Sequence, residues 1–172
     1  ARVLCCAPSD EAADVLARRV AAALGLDAPG YAGDATLLRL SWWQRKTASV
    51  SPQLLRFCHV RDGQFDLPTV AKLKTYDVVV ATCGCSGLLL AAGLRGHFTH
   101  VLVDEAAQAM EPEALVPASL AATRTRLAFF GDPHQLGPAV RSAAALARGL
   151  GTSLLENLVR RAAVGGVGAP RV

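Results

Sequence analysis

The hydrophobic residues of this chain recur in short, unbroken runs, and each run ends abruptly in small and polar residues. Four segments share this pattern: "RVLCC" before "APSD", "DVVVA" before "TCGCS", "HVLV" before "DEAAQ", and "RLAFF" before "GDPHQ". A short apolar run without alternation is typical of a strand that is covered on both faces. The pattern therefore predicts four buried strands.

The segment after the first predicted strand, "DEAADVLARRVAAALGL", has the pattern of a helix. Its apolar positions Ala13, Leu16, Val20 and Leu24 share one face, acids stand in its first turn, and Gly25 is near its end. Strands that alternate with helices predict a parallel α/β sheet with helices on its faces. In such sheets ligands collect at the carboxyl ends of the strands, so we expect the four polar clusters to meet at one edge.

Composition narrows the class of protein. The chain has 172 residues, of which 52% are hydrophobic, which favours one domain, and its net charge of +4 makes a polyanion a candidate partner. Five cysteines without a C-x-x-C pair indicate a reducing compartment, the cytoplasm or the nucleus. No apolar run reaches the roughly 18 residues of a membrane span, so no membrane partner is expected. The C-x-C spacing of Cys83 and Cys85, near His97 and His100, matches no usual zinc pattern.

The region from about residue 27 to residue 75 departs from this alternation and is interpreted as a basic insertion. Its cations are Arg39, Arg45, Lys46, Arg56, Arg61, Lys72 and Lys74. The adjacent Trp42 and Trp43 are interpreted as packing residues, although aromatic rings among cations can also stack on unpaired bases. The Gly- and Ala-rich end, from about 163 to 172, is predicted to be a flexible tail or linker.

Two adjacent carboxylates, Asp104 and Glu105, follow the third predicted strand. A carboxylate at a strand end can hold magnesium, usually through water, while the metal bridges phosphate oxygens. The neighbouring acid can orient or deprotonate an attacking water. An acidic pair taken alone more often begins a helix, where it suits the helix dipole.

The segment "FFGDPHQLGP" ends the fourth predicted strand in a turn. Asp132 and Pro133 favour a tight turn, and Gly131 and Gly137 allow another backbone to come close. Gln135 offers a neutral amide that can contact a phosphate oxygen. Taken alone, this turn would indicate only a surface loop. Together with "DEAAQ" earlier in the chain, it is a more specific indication of a functional site.

Four motifs of the chain resemble, in order, those of one family. "VLVDEAAQAMEPEAL" is similar to motif II of superfamily 1 RNA helicases of the up-frameshift type, and "GDPHQLGP" is similar to their motif III. "CAPSDEAADVL" resembles motif Ia and "VVVATCGCSGLL" resembles motif Ic. The longer phrase "GHFTHVLVDEAAQAMEPE" is similar to the helicase-with-zinc-finger branch. The resemblance covers residues 2 to 138 and implies that residues 1 to 172 are part of a first RecA-like domain, a P-loop NTPase fold.

The resemblance also implies roles for individual residues. Asp104 would coordinate magnesium and Glu105 would polarise the hydrolytic water, while other residues of motifs II and III would contact the nucleotide phosphates or relay their state. These others are Gln108, Gly131, Asp132 and Gln135. Single-stranded RNA would be held by residues of motifs Ia and Ic, with two cations of the insertion as further candidates. These are Pro8, Ser9, Thr82, Ser86, Arg45 and Lys46.

Two residues depart from the family pattern. Asp10 stands where the family often has Asn, and with Glu11 it brings negative charge beside the expected RNA path. His134 stands where Lys or Arg is common, which removes a fixed positive charge at pH 7. A solvated turn residue is an equal alternative for His134.

No G-x-x-x-x-G-K-[ST] phosphate loop occurs in the chain. The resemblance implies that this loop lies upstream and that a second RecA-like domain lies downstream, so we expect the chain alone to hydrolyse no ATP. The expected function is part of an ATP- and magnesium-dependent RNA helicase that moves 5′ to 3′ on single-stranded RNA. Besides single-stranded RNA, the candidate partners are proteins of a ribonucleoprotein or coregulator complex. The alternatives are a catalytically silent scaffold and another P-loop enzyme, such as a DNA helicase or a nuclease-coupled translocase.

Overall fold

The strands of the chain form one larger parallel sheet and one short hairpin. The computed structural model describes residues 1–28 and 36–165. Their strands are β1 (Val3–Ala7), β2 (Leu37–Arg39), β3 (Val60–Arg61), β4 (Gln64–Phe65), β5 (Val78–Thr82), β6 (His100–Val103) and β7 (Arg126–Phe129). Five of them form a parallel sheet in the order β2-β5-β1-β6-β7, and β3 pairs with β4. The α/β fold and all four predicted strands are confirmed.

Helices lie between the strands of the larger sheet and also follow its last strand. They are α1 (Asp10–Ala23), α2 (Pro52–Leu55), α3 (Val70–Leu73), α4 (Gly87–Ala91), α5 (Glu111–Ala118), α6 (Ala143–Ala147) and α7 (Leu154–Gly165), with a 3-10 turn at Thr47–Ser49. Within the described ranges, no helix is long and apolar enough to cross a membrane.

Each central strand sends side chains into two separate hydrophobic cores. In β1, Leu4 and Cys6 belong to one core, whereas Cys5 and Ala7 belong to the core on the opposite face. Successive side chains of a strand point to opposite faces, so a strand with a core on each side needs apolar residues at every position. This double coverage explains the unbroken apolar runs in the sequence.

Helix α1 packs with a different face from the one that its leucines predict. Its buried residues are Ala13, Asp14, Ala17 and Ala21. Leu16 and Val20 are half-buried, and Leu24 is exposed. Small alanines let the helix lie close to the sheet, and Asp14 is drawn inward because it pairs with a buried arginine of β2. The predicted helix is confirmed, and its buried side is centred about one residue from the predicted apolar face, with Leu16 and Val20 still packed against the core.

The region interpreted as a basic insertion contributes a strand to the main sheet. Strand β2 lies within it and pairs with β5 in parallel. Residues 29–35 of this region, and residues 166–172 of the predicted tail, lie outside the described residues. Helix α7 continues to Gly165, so the first residues of the predicted tail are helical.

The carboxyl ends of the strands lie level with one another. Ala7 is paired with Thr82, and the residues just after the paired Val103 and Phe129 extend the same row. The row across four adjacent strands is therefore Thr82, Ala7, Asp104 and Phe130. Every motif singled out in the sequence begins at this carboxyl edge, as parallel strand order predicts.

Candidate functional site

Asp104 is fixed at the end of β6, and one of its two carboxylate oxygens forms no hydrogen bond with the described residues. Its N–H donates to the carbonyl of Cys6 at 2.8 Å, and its Oδ1 accepts from the N–H of Glu105 at 3.0 Å. Its Oδ2 has no hydrogen bond to the described part of the chain, and the residue is half-buried. A fixed carboxylate with one available oxygen is what a magnesium ion that keeps most of its waters requires from a protein.

Glu105 has an unusual backbone conformation. Its φ is +52°, in the left-handed region that non-glycine residues rarely adopt, at a cost of about 1–3 kcal/mol. Gln108 stabilises it twice, because its N–H donates to the Glu105 carbonyl at 2.9 Å and its Nε2 donates to Glu105 Oε2 at 2.9 Å. The Glu105 carboxylate is therefore held by Gln108 within the loop that also fixes Asp104.

The loop after β7 is joined to this acidic loop through the backbone. The N–H of Phe130 donates to the Val103 carbonyl at 2.7 Å, and the N–H of Ala106 donates to the Phe130 carbonyl at 2.7 Å. A Cβ on Gly131 would lie 3.0 Å from the nitrogen of Ala107 and 3.1 Å from that of Ala106. The two loops are therefore in direct contact, and a side chain at residue 131 would crowd the backbone of the acidic loop.

Asp132 organises the turn that follows. Its Oδ1 accepts from the N–H of His134 at 2.9 Å, and its Oδ2 accepts from Nε2 of Gln135 at 3.3 Å. The hydrogen bond from His134, and then that from Gln135, lower the pKa of the Asp132 carboxyl below its ordinary value. Gln135 is exposed and bonded within its own turn, so its side chain does not touch the acidic loop in this arrangement.

The residues predicted to serve the nucleotide thus fall into two adjoining groups. Asp104, Glu105 and Gln108 share one hydrogen-bonded loop, and Gly131 contacts it from the neighbouring loop. Across the described residues, no cluster of three or more His, Cys, Asp or Glu side chains could enclose a metal. The donor set fits a magnesium held by one carboxylate, water and phosphate oxygens, and it does not fit an all-protein metal cage.

The other half of the edge carries hydroxyl groups. Ser9, next to the half-buried Pro8, caps α1, and its Oγ accepts from the N–H of Ala12 at 3.1 Å. Thr82 Oγ1 accepts from the N–H of Cys85 at 3.1 Å. Ser86 is fully buried, and its hydroxyl donates to the carbonyl of Cys83 at 2.6 Å. Ser9 is exposed and Thr82 is half-buried, so solvent reaches both residues, whereas Ser86 is buried and its predicted contact with RNA has no support in this geometry.

Two acids of α1 and two arginines of the insertion form an ion-pair network beside Ser9. Arg39 is completely buried, with Nε 2.9 Å from Asp14 Oδ1 and Nη2 2.8 Å from Asp10 Oδ1. Arg45 lies 2.6 Å from Asp14 Oδ2 and 3.3 Å from Asp10 Oδ1. The partners in this network are distant along the chain, so no local sequence pattern predicts it as a whole. The spacing of Asp10 and Asp14, four residues apart on one helix face, was the available signal.

The network changes two expectations about charge. The sequence places the negative charge of Asp10 beside the expected RNA path, but that carboxylate is paired with the guanidinium groups of Arg39 and Arg45. Arg45 was a candidate phosphate contact, but the hydrogen bond to Asp14 raises its pKa and commits its charge within the protein. Lys46 is exposed and forms no ion pair with the residues that the structure describes, so it is the better placed of the two predicted cations.

The two tryptophans are on the surface. Trp42 is 39% exposed and Trp43 is 56% exposed. Neither ring is therefore a core residue, although most of the Trp42 surface is still covered by the rest of the chain. Tryptophan is among the residues with the largest average burial, so two adjacent exposed rings are uncommon.

Comparisons with known proteins identify the family. A family described as an AAA domain matches residues 67–143. The chain is 39% identical to RNA helicase Mov10l1 of Homo sapiens over 94% of this chain and 13% of that protein. It is 38% identical to Probable helicase with zinc finger domain of Mus musculus, over 91% of this chain and 8% of that protein. It is 36% identical to Putative helicase mov-10-B.1 of Danio rerio, over 92% of this chain and 15% of that protein.

The chain spans less than a fifth of the length of each of these relatives. Its identity to the helicase with a zinc finger domain is similar to its identity to the other two, so the likeness is not limited to the helicase-with-zinc-finger branch. Given the order of its four motifs and the parallel sheet that carries them, the chain belongs to the superfamily 1 helicases of the up-frameshift type and has their RecA-like fold.

Proposed function

We propose that the protein containing this chain is an RNA helicase motor that couples hydrolysis of magnesium-bound ATP to 5′ to 3′ movement along single-stranded RNA. The observation that carries the proposal is the division of one sheet edge into two halves. Acidic loops follow β6 and β7, and hydroxyl-bearing turns follow β1 and β5. Neighbouring strands are about 4.8 Å apart, so the two halves lie within about 10–15 Å of each other.

The acidic half supports nucleotide hydrolysis. Asp104 would hold magnesium through its Oδ2, and the bound metal would neutralise charge on the phosphate oxygens. Glu105, fixed by Gln108, would orient the attacking water and accept its proton. A strained residue whose backbone and side chain are both hydrogen-bonded to one neighbour is consistent with an enforced catalytic position.

The backbone link between the two acidic loops supports coupling. Ala106 follows the catalytic pair and donates to Phe130, which precedes the Asp132 turn. A movement of either loop on binding or release of phosphate would be passed to the other, since no side-chain rotation can absorb it. Ala7 stands next to Asp104 in the same row and begins the connection to Ser9, so β1 joins the nucleotide half to the RNA half.

The hydroxyl half supports sequence-independent binding of RNA. The hydroxyls of Ser9 and Thr82, and the free N–H groups at the start of α1, can bind phosphate oxygens without reading bases. Because the contacts are to phosphates, the affinity for RNA should fall as the salt concentration rises. None of these contacts selects a particular base. A motor that moves along RNA requires contacts of this sequence-independent kind.

The proposal includes the expectation that the 172-residue chain alone does not hydrolyse ATP. It contains no phosphate loop, so it lacks the lysine and backbone amides that would cradle the β- and γ-phosphates. A full-length protein with turnover beside an inactive chain would agree with this expectation. RNA-stimulated turnover by the chain itself would contradict it.

The test is a strand-displacement assay with the full-length protein, magnesium and ATP. RNA duplexes with a single-stranded 5′ tail should be unwound, whereas the same duplexes with a 3′ tail or blunt ends should not. Asp104→Asn is the matched variant, since it keeps the size of the side chain but removes its charge. Unwinding that is independent of ATP, or absent from a protein that still binds RNA, would favour the scaffold alternative.

A further inference from the structure

We infer that Trp42 and Trp43 form a base-stacking platform for single-stranded RNA, placed where β2 ends at the functional edge of the sheet. This inference rests on the proposed function. It adds the carboxyl end of β2 to the four strand ends that form the proposed site. It assigns the bases of the RNA, and not its phosphates, to a surface that the four motifs do not include.

The register of β2 places the tryptophans on the same edge as the other sites. Arg39 is paired with Val80, so Ser41, two residues later, is level with Thr82, two residues after Val80. Trp42 therefore begins just past the row that holds the RNA-side hydroxyl. Strand β2 is the neighbour of β5, and its carboxyl end extends the RNA half of the edge away from the acidic half.

The ring of Trp42 and the motif Ic turn share one hollow. Trp42, Thr82, Gly84 and Cys85 line a depression of about 340 Å³. Thr82 Oγ1 accepts a hydrogen bond from Cys85 and does not donate its own hydrogen to any described residue. A phosphate bound by that hydroxyl would hold its attached base within reach of the Trp42 ring.

Trp43 lies in a second depression, where Lys46 carries a charge that no described acid neutralises and Arg45 is paired with Asp14. Trp43, Arg45 and Lys46 line a hollow of about 460 Å³ together with residues of the β3–β4 hairpin. Aromatic rings among cations suit nucleic acid, because stacking acts on the bases while the cations act on the phosphates. A protein partner that prefers apolar surface would meet an exposed lysine here, so the charge of this surface favours RNA.

The loop that presents the rings is anchored at both ends. On one side Leu40 and Ser41 are buried. On the other side the N–H of Arg45 donates to the Trp42 carbonyl at 3.0 Å, and the Arg45 guanidinium donates to the carboxylate of Asp14. Both rings therefore stand on a fixed turn, and little conformational entropy is lost when bases stack on them. The Arg39–Asp14 network, which no motif explains, positions this platform.

The test measures binding of the full-length protein to fluorescein-labelled single-stranded oligouridine and to an abasic strand of the same length. Trp42→Ala and Trp43→Ala should each weaken oligouridine binding about tenfold, which matches the loss of one stacked base. Neither should change affinity for the abasic strand. Trp→Phe at each position should recover part of the affinity, because phenylalanine still offers a ring.

Two control variants separate the possible causes. Leu24 is as exposed as Trp42, at 39%, but it lies at the C-terminal end of α1, away from Ser9. The Leu24→Ala variant should therefore bind both strands normally. Lys46→Ala should weaken binding to both strands and reduce the salt dependence, because a phosphate contact does not need the base.

The outcomes distinguish this inference from the proposed function. Tryptophan variants with unchanged affinity for oligouridine would overturn the platform and leave RNA binding by Ser9 and Thr82 standing. An equal loss on both strands would also overturn it, since stacking requires bases. Variants that bind RNA normally but lose a protein partner would reassign the surface to that partner. A wild-type protein that binds neither strand would remove the platform and the proposed function together.

Discussion

Replacing Asp14 with Ala should destabilise the folded chain more than any surface change, because it leaves a buried charge without its main partner. Arg39 has no exposed surface, and its Nε lies 2.9 Å from Asp14 Oδ1. Its remaining acid, Asp10, is 37% exposed in its side chain, so water screens that attraction. Arg45 loses both of its shorter contacts at the same time.

The size of the effect follows from that geometry. Removing one partner of a buried ion pair costs about 3–5 kcal/mol, and the surviving contact with Asp10 places Asp14→Ala near 3 kcal/mol. For a chain of this length, about 2–4 °C of melting temperature is lost per kcal/mol, so the melting temperature should fall by about 6–12 °C. Arg160→Ala is the control, since its i,i+4 pair with Glu156 lies on the surface of α7 and contributes about 0.3–0.5 kcal/mol.

Urea unfolding followed by circular dichroism measures the difference in free energy of unfolding. A further Arg39→Met substitution in the Asp14→Ala chain should recover part of the loss, because no buried charge then remains without a partner. Burial would raise the pKa of Asp14, but the hydrogen bonds and charges of Arg45 and Arg39 outweigh it and lower the pKa. The stabilisation is therefore present above about pH 4 and fades as the pH falls further. A loss below about 1 kcal/mol at pH 7, or no recovery in the double variant, would refute the reasoning.

Two further predictions concern the loops and the thiols. Gly131→Ala should destabilise the chain by about 1–3 kcal/mol and reduce ATP turnover in the full-length protein, because a Cβ there meets backbone nitrogens at a φ of +152°. Gly84→Ala, which meets nothing within 4 Å, should have little effect on stability, and an equal loss in both would refute the packing argument. Burial raises the pKa of four thiols to about 11 or 12, so at pH 8 they should react with a disulfide reagent far more slowly in the folded chain than in urea. These thiols are those of Cys5, Cys58, Cys83 and Cys85.

The strands and their carboxyl edge were predictable because they depend on local patterns. An unbroken apolar run needs no knowledge of its neighbours to indicate burial on both faces, and parallel order then brings the ends of such runs together. The positions of Asp104 and of Gly131 at adjacent strand ends follow from the same rule.

The ion-pair network and the exposed tryptophans were not predictable in this way. Arg39 appears in the sequence as one cation among several, and its burial depends on two acids that lie on a different element. Those acids also rotate α1 so that Asp14, and not Leu24, faces inward. Trp42 and Trp43 are exposed, and they lie just before Arg45, which the same two acids hold. Composition reports the number of charges, whereas only the fold shows which of them are neutralised.

The most direct test of the proposed motor is RNA-stimulated ATP hydrolysis by the full-length protein, compared between wild type and Glu105→Gln. Gln keeps the side-chain length and can still hydrogen-bond Gln108, but it cannot accept a proton from water. If Glu105 activates the water, turnover should fall by about 10²–10⁴-fold while nucleotide and RNA binding stay near wild-type values. Turnover that survives in Glu105→Gln would contradict the role assigned to this carboxylate, and a folded, RNA-binding wild type without turnover would contradict the motor itself.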